Sequence, residues 1–341
     1  MEFFWYVVLI GILATYLVLD GYDFGAGIIH LFFAKTEKDK KAITNAIGPF
    51  WDANEVWLIA AGGILFYAFP TLYAASFSGF YLPLMMILWL LIFRAVGLEL
   101  RGQIHNSMWE AVWDKAFGIA SLLLALFFGM ALGNVVRGVN LGMVENGVST
   151  QEPHFFFLPL WNPTLSPVAS ELGIIDWFNW IIYKTNSSLN TQLKEMIYKM
   201  NFVLLALVIV SLSVWHIIEK EPFHNFINNP ILFIFPLITF VGLFGLFKVK
   251  TFKKDGTGFL FSTLFLVGGF TSTTASIFPV VLPSTNKVNP SLTIYNVANG
   301  EYALSVGVYW FAIALALVIG YFIIQYKVFN GKMDDVGYGE H

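Results

Sequence analysis

Long apolar stretches recur along the whole chain, and they constrain its fold more than any other feature. Eight of them reach about 20 residues, the length that a helix needs to cross a bilayer. They cover residues 3–33, 53–75, 77–98, 117–137, 201–219, 229–247, 258–283 and 303–327. Because hydrocarbon offers the backbone no hydrogen-bond partner, each stretch should be a helix. Charged residues make up only 12% of the chain, against about 25% in soluble domains. The sequence therefore predicts an all-α polytopic membrane protein.

The distribution of lysine and arginine predicts an orientation and one further crossing. Four lysines lie in residues 35–41, which should be cytoplasmic and would place the N-terminus outside the cell. Residues 140–176 contain neither lysine nor arginine and should be extracytoplasmic. The basic segment 248–254 should again be cytoplasmic, as should the C-terminus. We therefore predict eight clear transmembrane helices and a ninth between about 150 and 184, where the apolar runs are short.

This pattern divides the chain into two antiparallel four-helix-type bundles and a peripheral helix. The predicted divisions are an N-terminal bundle (1–139), an extracytoplasmic loop with the doubtful fifth crossing (140–200), and a C-terminal bundle with a cytoplasmic tail (201–341). The N-terminus lacks a basic region before its apolar run, so the sequence favours a retained first span over a cleaved signal.

Two pairs of carboxylates within sequence apolar enough to span a membrane are the candidate functional residues. Asp20 and Asp23 lie three residues apart, so a helix would place them on nearly the same face. Asp52 and Glu55 share a face in the same way. Charges inside a membrane usually line an ion path, pair with a base or face water. The four acids are the predicted proton path, although Asp20 and Asp23 could cap a helix break or pair with arginine. Asp52 could equally be the N-cap of the second membrane helix.

Two arginines further along the chain could serve these acids. Arg94 and Arg101 are candidate counter-ions for the acids or for an anionic cofactor, and Arg94 could instead snorkel to the membrane surface. Asp114 opens the fourth span and is interpreted as a charge that the helix dipole stabilises.

Metal and haem ligation by this chain are poorly supported. The chain has no cysteine, which excludes disulfides and thiolate-held metals. Its histidines are scattered, with no two at a spacing of three or four residues. They are His30, His105, His154, His216, His224 and His341. A lone histidine within a span is more often a hydrogen-bonded structural residue. No nucleotide-binding motif is present, and no basic block suggests nucleic acid.

Seven ordered segments of the chain resemble subunit II of cytochrome bd-type quinol oxidases. They are DGYDFGAG (20–27), IGPFWDANEVWLIAAGG (47–63), FSGFY (77–81), FRAVGLELRG (93–102), WDKAFG (113–118), GNVVRGV (133–139) and FPVVLPS (278–284). The resemblance implies a complex of the bacterial cytoplasmic membrane that oxidises quinol, reduces O2 to water and takes protons from the cytoplasm. It also implies that two haems b and one haem d belong to subunit I, with no haem on this chain.

Further expectations follow from the same resemblance. Asp52, with Asp20 and Asp23, would belong to the path toward the haems. A small single-helix accessory subunit would accompany the two large ones, and a structural quinone or lipid is a candidate ligand of this chain. Family members typically carry a full fifth membrane helix, and the segment before Lys184 is too short to contain it comfortably. Two alternatives remain open: a secondary transporter that uses its intramembrane acids, and a structural subunit whose acids only form salt bridges.

Overall fold

Helices make up most of the computed structural model, which describes residues 1–139, 141–145, 148–151, 179–185, 189–218, 224–285 and 290–332. The helices of this described part are α1 (Glu2–Phe32), α2 (Glu37–Ile47), α3 (Trp51–Ala68), α4 (Pro70–Gly79), α5 (Tyr81–Leu100), α6 (Ser107–Arg137), α7 (residues 179–184), α8 (Leu189–Ile218), α9 (His224–Asn228), α10 (Ile234–Leu246), α11 (Gly256–Ile277) and α12 (Glu301–Val328). Two short antiparallel pairs join β1 (Leu141–Glu145) to β2 (Val148–Gln151) and β3 (Val280–Leu282) to β4 (Leu292–Thr293).

Six helices of the described part are long and apolar enough to cross a membrane. They span Glu2–Phe32, Tyr81–Gln103, Ser107–Val136, Asn190–Ser213, Gly256–Ile277 and Glu301–Val328. The predicted stretches 53–75 and 229–247 contain shorter helices. The first is divided between α3 and α4 because Pro70 has no N–H to continue the ladder and disfavours helical geometry at Phe69. The total of eight or nine crossings stays a prediction. Most of the fifth crossing falls in residues 152–178, outside the described residues.

The first helix differs from its prediction in one respect and agrees in another. The glycines Gly21, Gly25 and Gly27 predict that its second half is loosened and that a neighbouring helix can approach it closely. In the structure α1 continues without a break for 31 residues. The close approach is confirmed at Gly27. A Cβ there would lie 2.1 Å from the Ser121 Oγ of α6. Glycine at this position therefore lets α1 and α6 pack with their backbones close together.

Two hydrophobic cores lie along α1, which packs against α3, α6 and α11. We call the end of the bundle that carries residues 35–41 and 248–254 the lysine-rich end. The core nearer to it includes Tyr22, Phe50, Phe117, Trp180 and Phe265. The core at the opposite end includes Trp5, Phe69, Leu72, Leu282 and Leu304. Because α1 contributes to both cores, it fixes the neighbouring helices along its whole length.

The ends of α7 and α12 bind each other through two lysines. Lys184 Nζ donates to the carbonyl oxygen of Phe329 at 2.8 Å, while Lys332 Nζ donates to those of Ile182 and Thr185 at 3.0 and 2.8 Å. Each lysine thus satisfies carbonyl groups that the end of the other helix leaves unpaired. We call this arrangement the lysine clasp.

Candidate functional site

A buried arginine lies between carboxylates from two other helices. Arg94 of α5 is only 2% exposed. Its Nη1 donates to Asp20 Oδ1 of α1 at 2.5 Å, and its Nη2 donates to Glu55 Oε1 of α3. The guanidinium also lies 5.0 Å from the centroid of the Phe24 ring. Snorkelling of Arg94 to the membrane surface is therefore the wrong interpretation, since the side chain points into the protein.

The second aspartate of α1 begins a chain of polar side chains that leads to α12. Asn54 Nδ2 donates to Asp23 Oδ2 at 2.9 Å and to the Tyr22 hydroxyl at 2.7 Å. The hydroxyls of Tyr22 and Tyr326 are 2.9 Å apart. Sequence reasoning missed Asn54 and Tyr326 as site residues. An asparagine between two predicted path acids was the available signal for Asn54, whereas nothing in the sequence pointed to Tyr326.

The two aspartates of α1 retain unused hydrogen-bonding capacity. Asp20 and Asp23 are 0% and 1% exposed. Asp20 Oδ2, Asp23 Oδ1 and Asn54 Oδ1 are buried without a hydrogen-bond partner in the described part of the chain. Buried polar atoms of this kind are usually satisfied by internal water. We call these residues, together with Glu55 and Arg94, the Arg94 network.

The fourth predicted acid lies at the edge of this network. Asp52 is exposed and occupies the first turn of α3, two residues before Asn54. The N-cap of α3 is Phe50, so the N-cap interpretation of Asp52 is wrong. Asp52 begins an exposed stripe of α3 that continues through Val56 and Ile59. Asp52 therefore lies on the exposed face of α3, three residues before Glu55 of the network.

A second polar cluster lies at the lysine-rich end, and its centre is Asp114. Asp114 Oδ1 accepts from His30 Nε2 at 2.6 Å and from Arg101 Nε at 2.5 Å, and its Oδ2 accepts from Lys40 Nζ at 2.8 Å. Glu37 accepts from both Lys40 and Arg101. The hydrogen bond from Lys40, aided by Arg101, lowers the pKa of Glu37. We call these five residues the Asp114 cluster.

This cluster corrects the interpretation of Asp114 and shows where Arg101 lies. Asp114 is the eighth residue of α6, beyond the first turn in which the helix dipole acts. Its stabilisation comes from three side-chain donors. Arg101 pairs with Asp114 and Glu37, not with the membrane acids. The expectation that a lone histidine within a span is hydrogen-bonded is confirmed for His30.

The described residues show no haem site. His30 gives one imidazole nitrogen to Asp114, and His105, His216 and His224 are exposed. His154 and His341 lie outside the described residues. No group of three or more histidine, aspartate or glutamate residues in the described part is placed to hold a metal ion.

Comparison with known proteins assigns the chain to a family. The sequence model described as cytochrome bd terminal oxidase subunit II matches residues 1–329. The chain belongs to this family. It is 30% identical to the probable cytochrome oxidase subunit 2 of Haemophilus influenzae over 98% of this chain and 95% of that protein. It is also 30% identical to the cytochrome bd-I ubiquinol oxidase subunit 2 of Escherichia coli K12, over 94% and 91% of the two chains.

A solved structure supports the same fold. A chain of the bd oxidase from Geobacillus thermodenitrificans superimposes with a TM-score of 0.63, at 13% identity, over 95% of this chain and 98% of that one. The resemblance inferred from the seven sequence segments is thus confirmed. The chain is an integral membrane subunit of a bd-type oxidase, an oxidoreductase complex that also contains a subunit I. The transporter alternative is not favoured.

Proposed function

We propose that this subunit carries protons from the cytoplasm toward the haems of subunit I while the complex oxidises quinol and reduces O2 to water. Subunit I would hold two haems b and one haem d, and this chain would hold none. The observation that carries the proposal is the excess of carboxyl groups over cations in the Arg94 network. Asp20 and Glu55 share a single guanidinium, and the buried Asp23 accepts a hydrogen bond from Asn54. A carboxyl group of this network can therefore bind a proton without leaving Arg94 unpaired.

The exposed stripe of α3 supports a route out of this network into the partner subunit. Ile59 and Phe66 are 73% and 65% exposed, and a Cβ at Gly63 would meet no atom within 4 Å. A carboxylate that faced lipid at the start of this stripe would be costly. We infer that subunit I covers the stripe and that Asp52 passes protons across the interface, with Asp20, Asp23 and Glu55 shaping the same hydrated region.

The proposed direction of transfer requires the orientation predicted from lysine and arginine. We place the protein in the bacterial cytoplasmic membrane with its N-terminus outside and its C-terminus in the cytoplasm. The lysine-rich end then faces the cytoplasm, from which protons enter. A small single-helix accessory subunit completes the proposed complex, by analogy with the family.

A separate cavity supports the candidate lipid or quinone ligand. It has a volume of about 560 Å³ and lies between α1, α6, α8, α10 and α11. Its walls are mainly apolar and include Leu13, Phe128, Phe240 and Phe265. This size lies within the common range of ligand pockets. We propose that it holds a lipid acyl chain or the tail of a structural quinone. Native mass spectrometry of the complex should detect a retained lipid or quinone, and a ligand-free chain would contradict this assignment.

The substitution Asp52→Asn tests the proton path because it preserves shape and removes the titratable group. Quinol oxidase turnover of the complex should fall by roughly 10²-fold, the lower end of the effect of a positioned proton-transfer group. Haem content, measured from reduced-minus-oxidised spectra, should not change. Glu301→Gln is the matched control, since Glu301 is an exposed acid in the first turn of α12 at the opposite end.

Two outcomes would contradict this role. Full turnover of Asp52→Asn with all haems in place would show that Asp52 relays no protons. Loss of haem would show that Asp52 is structural, in agreement with the alternative in which the acids only form salt bridges.

A further inference from the structure

One face of α1 links the two polar clusters. Asp20, Asp23, Gly27 and His30 follow one another at spacings of three, four and three residues, so they form a single stripe along the helix. The three polar members are all buried, and His30 is 2% exposed. At 1.5 Å per residue, His30 lies about 10.5 Å along the helix axis from Asp23. The stripe thus runs from the Arg94 network to the Asp114 cluster.

The environment of His30 determines which of its nitrogens can exchange a proton. Asp114 receives hydrogen bonds from Lys40 and Arg101 as well as from His30, so it is held as a carboxylate and can only accept. His30 Nε2 must therefore carry the hydrogen of that bond. In the neutral imidazole Nδ1 then bears a lone pair. Nδ1 is buried and has no hydrogen-bond partner in the part of the chain that the structure describes.

The charges that face His30 are balanced when its ring is neutral. Lys40 and Glu37 come from α2, Arg101 from the turn after α5, and Asp114 from α6. Two cations and two carboxylates cancel, so a proton on His30 adds one net positive charge at a buried position. The contact with Asp114 stabilises the imidazolium, while the two cations oppose it.

The space between His30 and Asp23 contains a further polar group. Ser121 lies against Gly27, halfway along this part of the stripe, and its side chain is fully buried. Its hydroxyl donates to the Phe117 carbonyl at 2.7 Å, which leaves the oxygen able to accept from water. A water molecule at this level would have protein partners on the route between the two titratable residues.

We propose that His30 is the proton-loading residue at the cytoplasmic entrance of the path. Nδ1 accepts a proton from water that enters at the lysine-rich end, which gives an imidazolium paired with Asp114. The same nitrogen then releases that proton through water near Ser121 to the Asp23 carboxylate, and the neutral ring keeps its Nε2 hydrogen. His30 acts as a relay in advance of the Arg94 network, and this assignment rests on the proposed function.

The substitution His30→Gln tests the assignment in the intact complex. Glutamine can still donate to Asp114 but has no titratable nitrogen. The complex is placed in liposomes, and proton uptake after an O2 pulse is followed between pH 6 and 8, in H2O and in D2O. We expect uptake to slow about tenfold or more, with a larger solvent isotope effect and unchanged haem spectra. His105→Gln, at an exposed histidine near the same end, should behave as the unsubstituted protein.

Several results would overturn the assignment. His30→Gln with normal uptake and isotope effect would exclude a relay role. Slower turnover that follows a loss of thermal stability, with an unchanged isotope effect and pH profile, would show that His30 is only structural. If His30→Gln does not assemble, His30→Asn is measured by the same criteria.

Asp23→Asn and Asp52→Asn separate the two proposals. If they slow uptake and His30→Gln does not, only the entrance is wrong. If His30→Gln alone slows uptake, the proposed path is wrong.

Discussion

The Arg94 network and the Asp114 cluster both surround a buried polar side chain with charges, but the balance of their charges differs. In the network, one guanidinium pairs with two carboxyl groups, Asp20 and Glu55, and the carboxyl group of Asp23 is buried nearby. In the cluster, Lys40 and Arg101 match Asp114 and Glu37. A balanced cluster can keep all its charges without binding a proton. An unbalanced network in a medium of low polarity must reduce its net charge, and binding protons is the simplest way to do so.

In the proposed path, the two cations and two carboxylates of the Asp114 cluster hold the structure together and only its His30 exchanges a proton, whereas the carboxyl groups of the Arg94 network can themselves bind protons. The four charges of the cluster tie α1, α2 and α6 to the turn after α5. The Arg94 network ties α1, α3 and α5 together, and two of its aspartate oxygens still have no hydrogen-bond partner among the described residues. We therefore expect substitutions in the two regions to differ in size and in kind.

The largest effect should come from Arg94→Met. This change leaves Asp20 and Glu55 without their cation in a buried position, and breaking such a pair costs about 3–5 kcal/mol. We expect the melting temperature of the detergent-solubilised complex to fall strongly, or the complex not to assemble. Arg94→Lys is the control that retains the charge. A stable Arg94→Met complex with normal haem content would show that the acids are already neutral without the guanidinium.

A smaller effect should follow from Asp114→Asn. The amide oxygen can still accept hydrogen bonds, but His30, Lys40 and Arg101 lose the negative charge that they share, and Lys40 loses its acceptor oxygen. Hydrogen bonds to charged groups contribute about 1.5–3 kcal/mol, and the partial exposure of this cluster places the loss within that range. The same thermal unfolding assay measures it. If Asp114→Asn destabilised the complex more than Arg94→Met does, the comparison between the two regions would be reversed.

The smallest effect should come from an ion pair at the surface, Asp255 with Lys194 and Lys332. Partial burial opposes ionisation of Asp255, but the hydrogen bonds from the two lysines outweigh it and lower the pKa. Asp255→Asn should therefore cost at most about 1 kcal/mol at neutral pH.

The pH dependence of this small effect has a defined sign. A carboxyl with a lowered pKa in the folded state stabilises at pH values above its unfolded pKa of about 3.9. The stabilisation is lost as the pH falls further, through the folded pKa. Unfolding free energies of the unsubstituted and Asp255→Asn proteins should converge below about pH 4. A difference that grew in acid would show that the lysines do not stabilise the ionised form.

The sequence singled out the acids proposed for the proton path, but it could not show which residues surround them. Asp20, Asp23 and Glu55 stood out because carboxylates are rare in apolar helices. Arg94 is 74 residues from Asp20, so local pattern could not decide between a counter-ion and a snorkelling side chain. The same limit explains the error at Asp114, where His30, Lys40 and Arg101 converge from three separate elements.

Local rules explain other differences between prediction and structure. The break at Pro70 was readable, because proline disfavours helical geometry in the residue before it. Whether α1 is continuous could not be predicted from the sequence. Glycine is common in membrane helices, and its effect depends on the helix that packs against it. At Gly27 the neighbour is Ser121, and the result is close packing instead of a break.

The lysine clasp has a consequence for the order in which the protein can be built. The carbonyl groups of Ile182 and Thr185 accept from Asn190, close by in the chain, and from Lys332, about 150 residues later. During synthesis from the N-terminus, Asn190 can pair them early, whereas the contact between α7 and α12 forms only after α12 has been inserted and Lys332 has left the ribosome. The corner that holds Tyr22, Trp180 and Tyr326 together is closed late, so the polar chain from Asp23 to α12 becomes complete only at the end of biogenesis.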